Sequence, residues 1–182
     1  LAAYLAGFAE KGACALVLDV GAGDGALTMP LAAQGRRVVA VENDPALAEK
    51  LRRKTQHMPH VRIAQQDALR LKLPASPFGV VVNIPFAITT PILGMLMDRP
   101  ALPFQGGAIV VEWGAARRFT ADPIADPRLL GWRMQFDLAA ARTIEPVSFF
   151  PRPRVRCAIL EIRRKRAPLV PVKQHARFLR LA

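Results

Sequence analysis

The residues with the clearest chemical potential begin with a glycine-rich segment, Asp19-Val-Gly-Ala-Gly-Asp-Gly25. Its three glycines allow a tight turn and a close approach of the backbone to a ligand, because they carry no Cβ. Their spacing is G-x-G-x-G and differs from the G-x-G-x-x-G of dinucleotide-binding folds, in which the loop must hold a pyrophosphate. The segment favours a cofactor built from an amino acid and a nucleoside, with a purely structural turn as the alternative.

Two acidic residues are placed to hold the nucleoside of such a cofactor. Glu42 ends a β-branched run and can accept hydrogen bonds from both ribose hydroxyls. We expect it to be free for this role because Asp44 is predicted to cap the next helix. Asp67 follows the next β-branched run and can accept a hydrogen bond from the exocyclic amine of adenine. Capping of a loop is an equal alternative for Asp67.

The most specific segment is Asn83-Ile84-Pro85-Phe86. The amine of adenine is a poor nucleophile because its lone pair is delocalised into the ring, and acceptors on both its hydrogens favour the pyramidal, nucleophilic form. The Asn83 side chain and a backbone carbonyl of Ile84 or Pro85 can supply those acceptors, and Phe86 offers a face on which an extruded base can stack. No strong base is required, since the proton becomes acidic once the nitrogen is alkylated. The alternative is a strand-terminal Asx turn followed by a core aromatic residue.

The elements that must position these segments follow from the alternation of β-branched runs with segments of helical period, which is typical of βαβ units. Strands are predicted at 15–20, 37–42, 61–64, 78–82, 106–112, 135–144 and 155–162. Helices are predicted at 26–34, from Asp44-Pro45 onward, at 89–97 and at 172–181, with a turn at Gly114 and a loop at 123–127. Ligands of a parallel sheet bind beyond the carboxyl ends of its strands, so we expect the segments to converge there.

Composition and charge bound the class of protein. A chain of 182 residues, 52% hydrophobic and 22% charged, suits one α/β domain and excludes disordered and fibrous classes. Residues 1–110 hold 11 basic and 8 acidic side chains, whereas residues 111–182 hold 15 and 6. This arginine-rich excess indicates a polyanionic partner, and nucleic acid is favoured over a membrane surface because no basic amphipathic helix carries the charge. Solvated strand ends are the alternative.

Other site types are weakly supported. Cys14 and Cys157 stand far apart in apolar runs and are predicted to be buried free thiols. His57 and His60 have no further ligand at metal spacing, so we expect no metal site. The longest apolar run, residues 1–9, is too short to cross a bilayer and lacks the features of a signal peptide. We therefore expect a soluble, cytoplasmic protein, monomeric and without a membrane partner.

Taken together, these segments make the chain similar to the Erm family of 23S rRNA adenine-N6 methyltransferases, within the class of rRNA adenine dimethyltransferases. The resemblance covers nearly the whole chain and rests on residues 18–28, 39–42, 66–67, 83–93, 116–118 and 149–155. It implies an α/β, Rossmann-like class I methyltransferase with a mostly parallel seven-stranded sheet and an antiparallel last strand. It also implies S-adenosylmethionine as cofactor, an adenine in the peptidyl-transferase loop as target, and resistance to macrolide, lincosamide and streptogramin B antibiotics.

The resemblance assigns roles to particular residues. The cofactor-binding residues are Gly21, Ala22, Gly23, Glu42, Asn43, Asp67, Ala68 and Asn83. The catalytic residues are Asn83, Ile84, Pro85 and Phe86, and Phe149 is the expected counterpart of Phe86 on the other side of the target base. The resemblance and the basic excess together give the expected RNA-binding residues. The resemblance covers Arg117, Arg118, Phe149, Arg152 and Arg154, and the charge pattern adds Arg163, Arg164, Lys165 and Arg166.

The chain also departs from the family pattern. The family normally opens with a basic arm and a Q-N-F-L element and continues into a small helical RNA-binding domain. We therefore expect a catalytic domain at 1–166, with 167–182 as the start of that helical domain, and a chain that is a catalytic-core fragment.

Two alternative functions stay open. One is dimethylation of small-subunit (16S) rRNA, whose enzymes more typically read E-I-G-P-G and N-L-P-Y. The other is a noncatalytic nucleic-acid-binding relative, against which the intact Glu42, Asp67 and Asn83 argue. A nicotinamide oxidoreductase is disfavoured by the glycine spacing, and a methyltransferase for small molecules by the charge.

Overall fold

A seven-stranded sheet organises the chain in a computed structural model that describes residues 1–11, 14–83, 85–148 and 153–181. The strands are β1 (Leu16–Val20), β2 (Arg37–Glu42), β3 (Val61–Gln65), β4 (Phe78–Val82), β5 (Phe104–Glu112), β6 (Phe136–Ile144) and β7 (Cys157–Arg164). Their spatial order is β3-β2-β1-β4-β5-β7-β6. Strands β1 to β5 pair in parallel, and β7 runs antiparallel to both β5 and β6. The predicted mostly parallel sheet with an antiparallel last strand is confirmed.

The register of the central strands brings the predicted site segments to one edge of the sheet. Val20, at the end of β1, pairs with Val41 of β2 on one side and with Val82 of β4 on the other. On the far side of β2, Glu42 pairs with Gln65 of β3. The segments that follow these four strands therefore leave the sheet side by side, as expected for a ligand site in a parallel sheet.

Helices cover both faces of the sheet. Those in the described part of the chain are α1 (Ala2–Lys11), α2 (Thr28–Ala33), α3 (Pro45–Thr55), α4 (Thr89–Met97), α5 (Trp113–Phe119), α6 (Pro127–Gln135) and α7 (His175–Leu179). Short 3₁₀ turns lie at Ala68–Arg70, Phe86–Ile88, Pro146–Ser148 and Val172–Gln174. β4 sends Val80 and Val82 into the apolar cluster on one face and Val81 into the cluster on the other, as the two-residue period of a strand requires. None of the described helices is long and apolar enough to cross a membrane.

The predicted elements differ from the structure mainly in its C-terminal half. The turn predicted at Gly114 is wrong, because this residue lies in the first turn of α5, where it is exposed and meets no crowding. Helix α6 was not predicted, although Asp126 caps it and Pro127 opens it in the same way that Asp44 and Pro45 begin α3. The helix predicted at 172–181 divides into a 3₁₀ turn and the short α7.

Several boundaries also shift by two residues. Helix α2 begins at residue 28 instead of 26, and β5 begins at residue 104 instead of 106. Strand β7 spans 157–164 instead of 155–162, because Arg163 pairs with Gly106 and Arg164 with Phe136. Charged residues at the end of this strand are thus part of the ladder.

The segment after β7 packs on α6. The Lys165 N–H donates to the Gln135 carbonyl at 2.9 Å, and the Gln135 side-chain amide donates to the Val170 carbonyl at 2.7 Å. At Gly131 a Cβ would lie 2.7 Å from a methyl carbon of Leu179, so α7 approaches α6 closely. These contacts attach residues 165–179 to the sheet domain, while the division of the chain at residue 166 stays a prediction.

Candidate active site

The glycine segment after β1 is a tight loop held against β2. The N–H groups of Gly21 and Ala22 both donate to the Val41 carbonyl, at 2.9 and 3.0 Å. All three glycines of the loop have positive φ, and a Cβ on Gly25 would lie 2.6 Å from a methyl carbon of Leu51 in α3. The loop therefore requires glycine both for its backbone conformation and for its contact with α3.

Glu42 joins this loop to the end of β2. Its Oε2 accepts a hydrogen bond from the Gly23 N–H at 2.7 Å, and its Oε1 accepts one from the Asp44 N–H at 2.8 Å. Asp44 caps α3 as predicted, but the expectation that Glu42 is therefore free is wrong. Since a carboxylate can accept about four hydrogen bonds, each Glu42 oxygen keeps capacity for a hydroxyl donor.

The remaining predicted cofactor residues lie next to these groups. Asn43 is exposed just after β2. Asp67 is exposed after β3, and its Oδ1 accepts a hydrogen bond from the Leu69 N–H at 2.9 Å at the start of the turn that contains Ala68. The loop-capping alternative thus describes one oxygen of Asp67, and its role toward an adenine stays a prediction.

The segment after β4 lies at the same edge of the sheet as the glycine loop. Asn83 and Pro85 are exposed, while Ile84 lies outside the described residues. Phe86 is half-buried against the apolar cluster that includes Val81 and Ile159, and it opens the turn into α4. One part of Phe86 is therefore fixed by the core while another part stays accessible, so the core-aromatic alternative and a stacking role are compatible.

A cleft of about 290 Å³ lies beside Phe86. Its other walls include Glu112 at the end of β5, Arg118 of α5, and Thr89 and Thr90 at the start of α4. The Thr89 hydroxyl is buried in this wall and has no hydrogen-bond partner among the described residues. Glu112 belongs to none of the predicted motifs, although a carboxylate at the end of a parallel strand is the same signal that identified Glu42.

A buried carboxyl group, Asp19, lies in β1 beneath the glycine loop. Its side chain is 0% exposed, its Oδ2 accepts from the Thr28 hydroxyl at 2.6 Å, and its Oδ1 has no partner among the described residues. Burial raises the pKa of Asp19 to about 6, the hydrogen bonds from Thr28 oppose this rise, and the charge of Glu42 adds to it.

This carboxyl group predicts a pH dependence of stability. The folded-state pKa of about 6 exceeds the ordinary value of 3.8, so folding favours the protonated form, and this stabilisation is lost as the pH rises from about 4 through 6. Asp19→Asn should therefore raise the free energy of unfolding by roughly 3 kcal/mol at pH 8 and by about half as much at pH 5. Urea denaturation at both pH values measures this, and an equal change at pH 5 and pH 8 would contradict it.

The predicted RNA-binding residues are spread over α5, β7 and the segments beside them. Arg117, Arg118, Arg154 and Arg166 are exposed. Arg163 is also exposed and donates to a carboxylate oxygen of Glu161 at 3.0 Å, while Lys165 is half-buried and bonded to the carboxylate of Asp137. Phe149 and Arg152 lie outside the described residues.

Arg164 has a different environment from its neighbours. Its Nε donates to the Phe104 carbonyl at 2.6 Å, and its two Nη atoms donate to the carbonyls of Pro100 and Leu102 at 3.2 and 2.7 Å. The guanidinium carbon lies 4.7 Å from the ring centroid of Phe136, and burial lowers the pKa of this side chain. Because Nε and both Nη atoms already donate to backbone carbonyls within the fold, we correct the assignment of Arg164 from RNA contact to anchor of the segment that leads into β5.

Two histidines and both cysteines have ordinary structural roles. His60 bonds the Ala32 carbonyl at 3.0 Å, and His57 lies 3.2 Å from the Gln56 amide. Cys14 and Cys157 are buried free thiols, as predicted. Within the described ranges, no group of three or more His, Cys, Asp or Glu side chains is arranged to hold a metal ion.

Known proteins are similar to this chain in both sequence and fold. The family described as Ribosomal RNA adenine dimethylase matches residues 13–182. An rRNA adenine N-6-methyltransferase of Bacillus licheniformis is 45% identical over 166 residues, which are 91% of this chain and 58% of the relative. A Ribosomal RNA small subunit methyltransferase A of Synechococcus sp. is 35% identical over 168 residues, which cover 89% of this chain and 59% of the relative. This chain thus spans somewhat less than three fifths of the length of these relatives.

Among solved structures, the 23S rRNA methyltransferase ErmE superposes with a TM-score of 0.85 at 28% sequence identity, over 98% of this chain and 74% of its own. The fold is accordingly the Rossmann-like fold of class I S-adenosylmethionine-dependent methyltransferases. The family match includes the glycine loop, Glu42, Asp67 and the segment after β4, which the sheet brings together at one edge. On these grounds the chain belongs to the ribosomal RNA adenine dimethylase family.

Proposed function

We propose that this chain catalyses adenine-N6 methylation of rRNA with S-adenosylmethionine as methyl donor. The observation that carries the proposal is the position of Asn83, Pro85 and Phe86 at the end of β4, directly beside the glycine loop at the end of β1. A methyl donor on the loop and an adenine on Phe86 would then meet at Asn83.

The residues at the edge of the sheet fit the cofactor. The glycine loop leaves room for a ligand to approach its backbone, as at Gly23, where nothing lies within 4 Å of the place of a Cβ. Glu42 has acceptor capacity for the ribose hydroxyls, and the free oxygen of Asp67 can accept from the adenine amine. Asn43 and Ala68 flank these two carboxylates. When bound, the cofactor supplies a methyl group on a positively charged sulfur.

The residues of the chain then hold and activate the target base. Phe86 packs against the apolar core on one side and provides on the other the face on which the base stacks. The Asn83 carbonyl accepts a hydrogen bond from the adenine amine and orients its lone pair toward the methyl group. The cleft formed by Thr90, Glu112 and Arg118 receives the nucleotide, and Arg118 offers its charge to the phosphate.

For the target we propose an adenine in the peptidyl-transferase loop of 23S rRNA. ErmE is a 23S rRNA methyltransferase, and the superposition on its structure covers 98% of this chain, which supports this choice. The segments D-V-G-A-G and N-I-P-F in the sequence also support it. Methylation there would confer resistance to macrolide, lincosamide and streptogramin B antibiotics. The enzyme would act as a monomer in the cytoplasm. The 35% identity to a small-subunit methyltransferase supports 16S rRNA as the second candidate.

Labelling of deproteinised rRNA tests the proposal. The chain is incubated with labelled S-adenosylmethionine and, separately, with 23S and 16S rRNA, and the modified base is mapped by primer extension. We expect a dimethyladenine stop in the peptidyl-transferase loop of 23S rRNA. Label in 16S rRNA alone would replace the target by the second candidate. Measured binding of the cofactor without label in either RNA would contradict a catalytic role.

A further inference from the structure

Thr28, the first residue of α2, joins the two ends of the glycine loop. Its side chain is fully buried, and its hydroxyl donates to Asp19 Oδ2 at 2.6 Å. Asp19 precedes the loop and Thr28 follows it, so this hydrogen bond closes the loop at its base.

The surroundings of Asp19 make this hydrogen bond important for the charge of its carboxyl group. Asp19 shares with Val17 the face of β1 that is covered by apolar side chains of α2, β2 and β4, among them Leu31, Val38 and Val81. Glu42 of β2 is the charged group that acts on Asp19 among the described side chains, and it opposes ionisation. In this environment the hydroxyl of Thr28 is the hydrogen-bond donor that favours the charged carboxylate.

We infer that Thr28 is a positioning residue for the cofactor and acts through Asp19. The inference rests on the proposed function, because it concerns the methyl donor of that reaction. The Thr28 hydroxyl favours a negative charge beneath the glycine loop, and the charge attracts a cofactor that carries a positive sulfur. The same hydrogen bond holds the loop in the conformation that binds the cofactor. Loss of the Thr28 hydroxyl would both loosen the loop and neutralise Asp19 at a higher pH.

Titration of the cofactor against matched variants tests the inference. Thr28→Val removes the hydroxyl without changing the volume, Thr28→Ser keeps it, and Thr55→Val removes another buried hydroxyl, which donates to the Leu51 carbonyl at 2.9 Å. We expect Thr28→Val to weaken S-adenosylmethionine binding roughly tenfold at pH 7.5, which corresponds to about 1.4 kcal/mol. The pH at which its affinity declines should rise by about one unit. Thr28→Ser and Thr55→Val should bind like the parent.

Two comparisons separate positioning from a general loss of stability. Thr55→Val should lower the thermal midpoint without altering affinity or its pH profile. S-adenosylhomocysteine, whose sulfur is uncharged, should show a smaller pH dependence than S-adenosylmethionine with the parent chain. A parent-like affinity and pH profile for Thr28→Val, or a Thr28→Ser variant as weak as Thr28→Val, would overturn the inference.

Asp19→Asn provides a second variant if Thr28→Val does not fold. It should bind S-adenosylmethionine more weakly at pH 7.5, and its affinity should be independent of pH between 5.5 and 7, where the α-amino group of the cofactor stays protonated. An affinity that still declines in this variant as the pH is lowered over this range would overturn the inference. Absence of binding by the parent chain would overturn the proposed function and the inference with it, whereas binding by the parent and an unaltered Thr28→Val would overturn the inference alone.

Discussion

Replacing Asn83 by alanine is expected to reduce methyl transfer roughly 100- to 1000-fold, the loss that follows removal of one preorganised hydrogen-bonding group from an active site. The Asn83 side chain is exposed beyond β4, so its removal leaves no cavity in the core. The adenine amine would lose the acceptor that holds it in its nucleophilic form, while the glycine loop and Glu42 keep their contacts. The effect should therefore fall on kcat and leave the thermal midpoint unchanged.

Asn43→Ala is the matched control for this variant. Asn43 is also an exposed asparagine that follows a central strand, but it lies after β2, on the proposed cofactor side of the edge. Its loss should raise the KM for S-adenosylmethionine by less than about tenfold and leave kcat near that of the parent. Single-turnover transfer to rRNA at saturating cofactor separates the two variants. An Asn83→Ala chain that methylates at the parent rate would rule out the proposed activation of the amine.

Arg164→Ala is expected to lower the free energy of unfolding by about 3 kcal/mol, because three carbonyl groups lose charged hydrogen-bond donors. Those carbonyls belong to Pro100, Leu102 and Phe104, so one side chain fixes the segment that leads into β5. The loss of packing over the Phe136 ring adds to the effect. Urea denaturation monitored by tryptophan fluorescence measures the change.

Arg166→Ala is the control, since this arginine is exposed two residues further along the same segment. It should change stability by less than about 0.5 kcal/mol and weaken RNA binding at low salt. Arg164→Ala should show the opposite pattern, with RNA affinity retained at temperatures at which the variant is folded. Binding to an rRNA fragment at two salt concentrations distinguishes them. Weaker RNA binding by a folded Arg164→Ala chain would restore the assignment of Arg164 to the RNA surface.

The sequence by itself determined the features that depend on local backbone preference and on the period of apolar residues. The glycines of the loop after β1 predicted a tight turn, and the pair Asp44-Pro45 predicted the start of α3. The β-branched runs predicted all seven strands of the sheet, with shifted boundaries for some of them. Because the carboxyl ends of parallel strands share one edge, these local signals were enough to bring Glu42, Asp67 and Asn83 together.

Local signals failed where one pattern permits two structures. Asp126 and Pro127 suit a loop as well as a helix start, and the structure selects α6 because its Leu129 and Trp132 are buried in the core. Gly114 suits a turn as well as an exposed position in a helix, and Ala116 and Phe119 on the buried side of α5 decide in favour of the helix. In both cases the burial of apolar side chains outweighs the preference of single residues.

Only the tertiary structure decided what each polar side chain contacts. Arg164 looks like one member of a basic cluster in the sequence, yet its acceptors lie some sixty residues earlier in the chain. Glu42 was expected to be free, but the glycine loop folds back and donates to it. The charge of Asp19 depends on the burial of β1 between β2 and β4. It also depends on the hydroxyl of Thr28, which lies nine residues further along the chain. A polar side chain forms hydrogen bonds with the donors and acceptors that lie within about 3 Å of it in the folded structure. The spacing of residues in the sequence does not specify that distance.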